Sequence, residues 1–358
     1  MSRFLLLDIG AGTLDILYAD TEADLQYKAV VKSPVRYLAE QAAALPGNLA
    51  VTGCEMGGGQ VSAVLKERTR TAEVVMSLSA AATVHHNLDR VKSAGIQIVP
   101  DTEAAALQQD SNYSALHLGD VDIERLRTIV EGFGVPFEFD YVGLCAQDHG
   151  VAPAAMSHLD YRHNLFRAAL DENPNPHELL HSAGKVPAAM NRLTAIAKSA
   201  QALPAREIYV MDSGMAAILG TSMDPLRRGK EKILVLDVAT SHTVGAALIG
   251  DEIAGFFEYH TVDVTLEKLE ALLQALAEGN LSHQQVLSEG GHGAYIRQAI
   301  GYPDAEIILA TGPKRKLVVD SRLPIVFGAP GGDNMMTGTV GLLEAIRRRK
   351  GLDPILHI

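Results

Sequence analysis

Short β-branched or leucine-rich runs alternate along the chain with alanine-rich amphipathic stretches, the pattern of an α/β fold. Residues 4–9 predict a buried strand, and 14–19 and 25–31 two more in a meander. A helix is expected over 34–45 and a strand over 49–52. Gly57-Gly58-Gly59 then opens a helical stretch to residue 68. A strand over 73–76 and a helix over 80–94 follow. The strand at 141–146 runs into Gln147-Asp148-His149-Gly150, with helices expected over 161–170 and 188–202. A second meander occupies 233–238, 243–249 and 253–260. It is followed by helices at 266–278 and 283–287 and short strands at 306–310 and 324–327. The last helix, 335–348, carries a basic final turn that suits the negative end of its dipole.

Two of these stretches echo one another. Residues 4–19 read FLLLDIGAGTLDILYA and residues 233–249 read ILVLDVATSHTVGAALI. Each is a buried strand ending in Asp, then a turn of small residues with Thr at a similar offset, then a returning strand. More than 200 residues separate them, so this is no tandem array but two related halves facing across a cleft.

The turns carry phosphate chemistry. In Asp8-Ile9-Gly10-Ala11-Gly12-Thr13 the glycines let the backbone approach a ligand closely, and successive N–H groups form an anion-binding nest. Thr13 adds a hydroxyl. Asp8, at a strand end, suits a water of Mg²⁺, which keeps several waters and takes one or two carboxylates plus phosphate oxygens. The second turn supplies Asp237 as the matching carboxylate, with Ser241, His242 and Thr243 as donors.

DIGAGTLD resembles the first phosphate loop of the actin, heat-shock ATPase and sugar-kinase superfamily, and LDVATSHT its second, although Ala239-Thr240-Ser241 replaces the usual glycine pair. YVGLCAQDHG at 141–150 is similar to a segment of some carbohydrate kinases. ATGPKR at 310–315 and GAPGGDNMMTG at 328–338 are similar to the adenosine-side loops, with Pro313 where relatives often carry glycine. The resemblance implies two actin-like, ribonuclease H-like domains facing a nucleotide cleft. The first spans residues 1–225 and the second 226–333, with a helix in 334–358 packing back on the first. It implies ATP and Mg²⁺, with Asp8 and Asp237 at the metal. Gly10, Gly12, Thr13, Ser241, His242 and Thr243 fall at the phosphates, and Thr311, Gly312, Gly331, Gly332 and Asp333 on the adenosine side. A carboxylate in the Gln147-Asp148-His149 loop is placed to orient a water or a substrate hydroxyl for in-line attack on the γ-phosphate, or else serves as a cap or turn residue.

A closer resemblance covers most of the chain, to a family labelled as pyruvate-formate-lyase-activating. It is carried by DIGAGTLD, TGCEMGGG (52–59), AQDHG (146–150), SHT (241–243), FEYHT (257–261), GGHGA (290–294), ATGPKR and GGDNMMTG. A radical enzyme of that label holds an iron–sulfur cluster on closely spaced cysteines. This chain has only Cys54 and Cys145.

Composition narrows the partners. The net charge of −12 repels nucleic-acid phosphates, and the short basic runs 314–316 and 347–350 read as solvated helix ends. No apolar run approaches the ~20 residues of a membrane span. Two cysteines and an N-terminus without a cleavable leader point to the cytoplasm. A small-molecule substrate and a protein partner both stay open, as does a homodimer. Of the 13 histidines, His177 and His181 complete an HExxH pattern that Pro174 and Pro176 restrict to a short helix, with no third zinc ligand in sight. His85 and His86 fall on the expected 80–94 helix and point apart. Glu258, His260, His242 and His292 meet at the cleft as a phosphate clamp, a proton shuttle or a metal site, or stand as separate loop residues. Two functional classes remain: an enzyme that hydrolyses ATP or transfers its γ-phosphoryl group to a small molecule, and a nucleotide-dependent switch acting on a partner protein.

Overall fold

The computed structural model describes residues 2–153 and 156–355. From the N-terminus, β1 (Arg3–Ile9), β2 (Thr13–Asp20) and β3 (Leu25–Lys32) form an antiparallel meander. Helix α1 (Pro34–Ala44) starts on Pro34, and the Ser33 hydroxyl accepts the Arg36 N–H at 3.2 Å. An inserted unit follows: β4 (Asn48–Gly53), α2 (Gly59–Arg68), β5 (Val74–Ser77), α3 (Leu78–Ala81), α4 (Leu88–Ser93), β6 (Gln97–Val99), α5 (Asp101–Leu107) and β7 (Tyr113–Leu118). Its four strands are all parallel, in the order β6-β5-β4-β7. Then come α6 (Ile123–Gly132), β8 (Phe139–Ala146), α7 (His158–Glu172), β9 (His181–Ser182), α8 (Asn191–Ala200), β10 (Ala205–Asp212) and α9 (Ser213–Ser222).

The second half repeats the plan. A meander of β11 (Lys232–Val238), β12 (His242–Ile249) and β13 (Glu252–His260) leads to α10 (Leu266–Ala277) and α11 (His283–Ser288). It continues through β14 (Gly293–Ile296), β15 (Ile307–Thr311) and β16 (Ile325–Phe327) to α12 (Thr337–Lys350).

The two large sheets run β3-β2-β1-β8-β10-β9 and β14-β13-β12-β11-β15-β16. In both, a three-stranded antiparallel meander is extended from its first strand by parallel strands: β1 beside β8 beside β10, and β11 beside β15 beside β16. This shared order makes each sheet ribonuclease H-like and the whole an actin-like pair. The central strands β1 and β11 are buried almost throughout, as parallel strands covered on both faces must be.

Helices α9 and α12 lie between the sheets in backbone contact. A Cβ on Gly220 would stand 1.8 Å from the Thr337 carbonyl oxygen, and one on Gly341 1.9 Å from that of Ala216. Any larger residue at either place must push the helices apart, and overpacking of this kind costs about 1–3 kcal/mol.

Two expectations fail for local reasons. The helix over 80–94 is two short helices, because the Asn87 side chain accepts the Asp89 N–H at 2.9 Å and starts α4 afresh. His85 and His86 therefore sit in the intervening loop. The HExxH segment is a single 3₁₀ turn, Pro176–Leu179, and His181 already belongs to β9, so the two rings do not share a helical face.

Candidate functional site

The β1–β2 turn closes with the Gly10 N–H donating to the Thr13 carbonyl at 3.0 Å. The β11–β12 turn closes the same way, Ala239 N–H to His242 carbonyl at 3.1 Å. The two turns meet: a Cβ on Gly12 would stand 3.0 Å from Thr240 Cγ2. Ser33 anchors the first turn to the start of α1, its N–H donating to the Gly12 carbonyl at 3.2 Å and its hydroxyl to that of Ala11 at 2.9 Å.

Behind these turns lies a cleft of about 470 Å³, within the size range of small-molecule sites. It gathers Asp8, Gly10, Thr13, Asp237, Ser241, His242 and Gly312 with Gln147, Asp148 and His149. One wall comes from the inserted parallel sheet, where residues 55–59 follow the carboxyl end of β4, the usual ligand-facing end of such a sheet. A second cavity, about 430 Å³ between α1 and α6, shares none of these residues.

Three carboxylates crowd the cleft. Burial pushes Asp8 up to about 6, against the opposing pull of the Cys145 thiol and Arg192. Burial, followed by the charge of Asp8, takes Asp237 to about 7, while the Thr311 hydroxyl pulls it back. Asp15 on β2 reaches about 8, through burial first and then the charge of Asp8. Its Oδ1 is buried without a hydrogen-bond partner. A buried carboxylate oxygen left unpaired is costly, and a cation or a proton is what would satisfy it. Asp15 is not among the residues the sequence singled out, yet it is the last letter of DIGAGTLD.

Raised carboxyls have a consequence for stability. The folded chain keeps protons on these groups at pH values where the unfolded chain, titrating near 4, has lost them, so the stability these three groups contribute falls as pH rises from about 4 to about 8. Asp15→Asn removes one ionisation. Thermal melts of the nucleotide-free variant are expected to decline less steeply across this window than those of the parent; equal slopes would contradict the assignment.

The structure corrects several predicted ligands. Thr243 is fully buried, with its hydroxyl 3.0 Å from that of Thr261. Successive strand residues face opposite ways, so with His242 at the cleft Thr243 points into the core. Thr311 is also fully buried and acts through Asp237, donating to its Oδ1 at 3.2 Å. Gly12 forms the contact between the turns. Gly331 and Gly332 make a turn at φ 64° and 80°, and Lys28 donates to the Gly331 carbonyl. Asp333 accepts the Met335 N–H at 2.9 Å. These three shape the backbone, while the neighbouring Asn334 and Met335 line the cleft, and the Asn334 amide donates to the Gly312 carbonyl at 3.1 Å.

Asp148 is buried with both oxygens engaged by backbone amides, Gly150 at 2.8 Å and Leu193 at 2.9 Å. That is the turn-and-cap use of the residue. Gln147 donates from its amide to Glu258. His149 is half-buried with its Nδ1 buried and unpartnered, and desolvation holds the ring neutral by lowering it to about 2.

Side chains distant in sequence complete the floor. Arg162 on α7 donates to Glu258 at 2.6 Å and to Asp212 at 2.9 Å, all three buried. Burial alone would push Glu258 up, but Arg162 and the neighbouring imidazoles hold it well below the usual carboxylate range. Arg192 grips Asp120 through two nitrogens at 2.8 and 3.0 Å and reaches the Gln147 carbonyl at 2.9 Å. Glu55 pairs with His86 at 2.8 Å on the far wall, and Asn191 donates to the same carboxylate.

Facing hairpin turns and a shared strand order define an actin-like fold of two ribonuclease H-like sheets around a cleft. The chain belongs to the family described as "Putative pyruvate format-lyase activating enzyme (DUF1786)", which matches residues 56–317. It is similar in structure to an inorganic polyphosphate/ATP-glucomannokinase from Arthrobacter sp. strain KM, at 11% identity over 97% of this chain and 100% of that one, TM-score 0.35. It is similar also to the filament protein AlfA from a B. subtilis plasmid, at 11% identity over 96% and 98%, TM-score 0.37. A ROK hexokinase from Thermus thermophilus aligns at 12% identity over 98% and 99%, TM-score 0.33. No curated protein matches the sequence. Of the two cysteines, Cys145 is buried and Cys54 lies against the Ser199 hydroxyl at 3.6 Å. Among the described residues no helix is long and apolar enough to cross a membrane.

Proposed function

We propose that the cleft binds ATP with Mg²⁺ and that the chain hydrolyses it or transfers its γ-phosphoryl group to a small molecule. The observation that carries this reading is the meeting of two turns with the same closing hydrogen bond, backed by three carboxylates, one of which has an orphaned oxygen. Backbone amides of residues 11–13 and 240–242 would cradle the phosphates, with the Thr13 and Ser241 hydroxyls beside them. Asp8, Asp15 and Asp237 would hold Mg²⁺ through its waters. The cation would neutralise phosphate charge, and the chain's own task is then to position and to exclude water. Gly312, Pro313, Asn334 and Met335 form the adenosine side. Residues 1–225 and 226–333 act as the two domains that close on the nucleotide, with residues 334–358 returning to the first. The acceptor space lies between the turns and the wall carrying Glu55, His86 and Asn191.

One observation favours a second reading. The carboxylate best placed by sequence to activate an acceptor, Asp148, is fully engaged by backbone amides. A nucleotide-dependent switch acting on a protein partner needs no such base. Steady ADP release from Mg²⁺ATP, alone or stimulated by a small hydroxyl compound, is the expected outcome. Tight nucleotide binding without any ADP release would favour the switch.

A further inference from the structure

Three histidines from neighbouring strands converge at one end of the second sheet. His242 opens β12 and is the direct cross-strand partner of His260, which closes β13. His292 immediately precedes β14, and its N–H donates to the Glu258 carbonyl at 2.8 Å. One ring nitrogen from each lies within 4.8 Å of the others. His292 Nε2 and His260 Nε2 are 3.1 Å apart. The Nε2 of His242 is buried with no hydrogen-bond partner.

The outer nitrogens of two of the three rings are tied down. His292 Nδ1 meets Glu258 Oε1 at 3.2 Å, and that carboxylate is in turn fixed by Arg162. His242 Nδ1 meets the Ser241 hydroxyl at 2.7 Å. Partners on the far nitrogen set the tautomer and orientation of a metal-binding imidazole and leave its lone pair pointing inward. Two tight glycine contacts place the His292 backbone: a Cβ on Gly291 would stand 2.6 Å from Val286, and one on Gly293 2.5 Å from His283.

We infer that His242, His260 and His292 bind a divalent transition metal of the zinc class, with a fourth position open to the cleft. Ligand chemistry separates this site from the carboxylates: imidazole suits zinc and its neighbours, whereas Mg²⁺ prefers oxygen. A tetrahedral ion with Zn–N bonds of about 2.0–2.1 Å needs ring nitrogens roughly 3.4 Å apart. The His260–His292 pair, at 3.1 Å, is near that spacing, and His242 has a ring nitrogen within 4.8 Å of both. Three protein ligands and one open position is the arrangement of catalytic rather than structural zinc sites. His242, His260 and His149 all line the cleft. The His149 ring lies 5.3 Å from His292, with its unpartnered Nδ1 available to a water or a substrate oxygen on the metal.

The inference stands on the cluster alone and does not rest on nucleotide binding, so its test contains no nucleotide. The full chain, purified without a histidine tag and stripped with a chelator, is titrated with Co²⁺ and with Zn²⁺ in excess Mg²⁺. One equivalent of Co²⁺ should bind with visible d–d absorption, and Zn²⁺ should displace it. H242Q and H260Q should each weaken Zn²⁺ affinity at least ~10-fold, as loss of a ligand must exceed the ~10–100-fold cost of losing an outer-shell partner. His260 is half-exposed, so H260Q carries the test if H242Q does not fold. Absence of the Co²⁺ absorption, or a parent protein that titrates like both variants, overturns the proposal. Either result leaves the ATP reading to be judged separately.

Discussion

Replacing Asp8 or Asp237 with Asn is expected to weaken Mg²⁺-dependent ATP binding at least ~10-fold, about 1.4 kcal/mol. Each residue is the last but one of the first strand of its meander, just before the turn. They are close enough that the charge of Asp8 raises Asp237. A carboxylate placed there with no cation is held against its own desolvation and its neighbour's charge. Asparagine keeps the shape and removes the charge that would attract the ion. Binding of ATP in the presence of a chelator should change far less, because the backbone amides of the turns remain. Calorimetric titration of both variants, with and without Mg²⁺, checks this. Parent-like affinity for Mg²⁺ATP in both would remove the carboxylates from the metal site.

The second large effect is on folding. Arg162→Met should cost about 3–5 kcal/mol, because it strands Glu258 and Asp212 as buried charges without their shared cation. The guanidinium ties α7 to the end of β10 in the first sheet and to β13 in the second, so its loss also loosens the junction between the halves. Urea denaturation should show the fall in midpoint. A change of less than about 1 kcal/mol would mean that water or rearrangement satisfies both acids. A combined variant, Arg162→Met with Glu258→Gln, should recover part of the loss by removing one stranded charge.

The same residues show what a sequence can and cannot disclose. Both hairpins were legible because their chemistry is local: a buried strand, Asp, a few small residues and a returning strand. The shared strand order of the two large sheets follows from that repetition. Thr243 was misassigned because an offset of one residue reverses a strand side chain, and only the closing hydrogen bond from Ala239 to His242 fixes the register. The inserted sheet was half visible, as β4 and β5 are compact apolar runs. Its other strands were not: β6 is three residues long and β7 has exposed positions within it.

The floor of the cleft left almost no trace. Arg162 lies 50 residues from Asp212 and 96 from Glu258, and no spacing rule joins them. The helix over 80–94 divided because one asparagine offered its side chain to the backbone, a choice that composition does not display. Asp15 could have been found, since it completes the DIGAGTLD motif on the strand that returns from the turn. The cleft histidines were legible as individuals. Their convergence was not, because it depends on β12, β13 and β14 lying side by side.

The paired turns are the centre of the account, and calorimetry of the unmodified chain with ATP in Mg²⁺ tests them most directly. Saturable binding of one nucleotide, weakened when Mg²⁺ is withdrawn, is the predicted result. No heat with ATP or ADP, at protein concentrations where millimolar affinity would register, would contradict it.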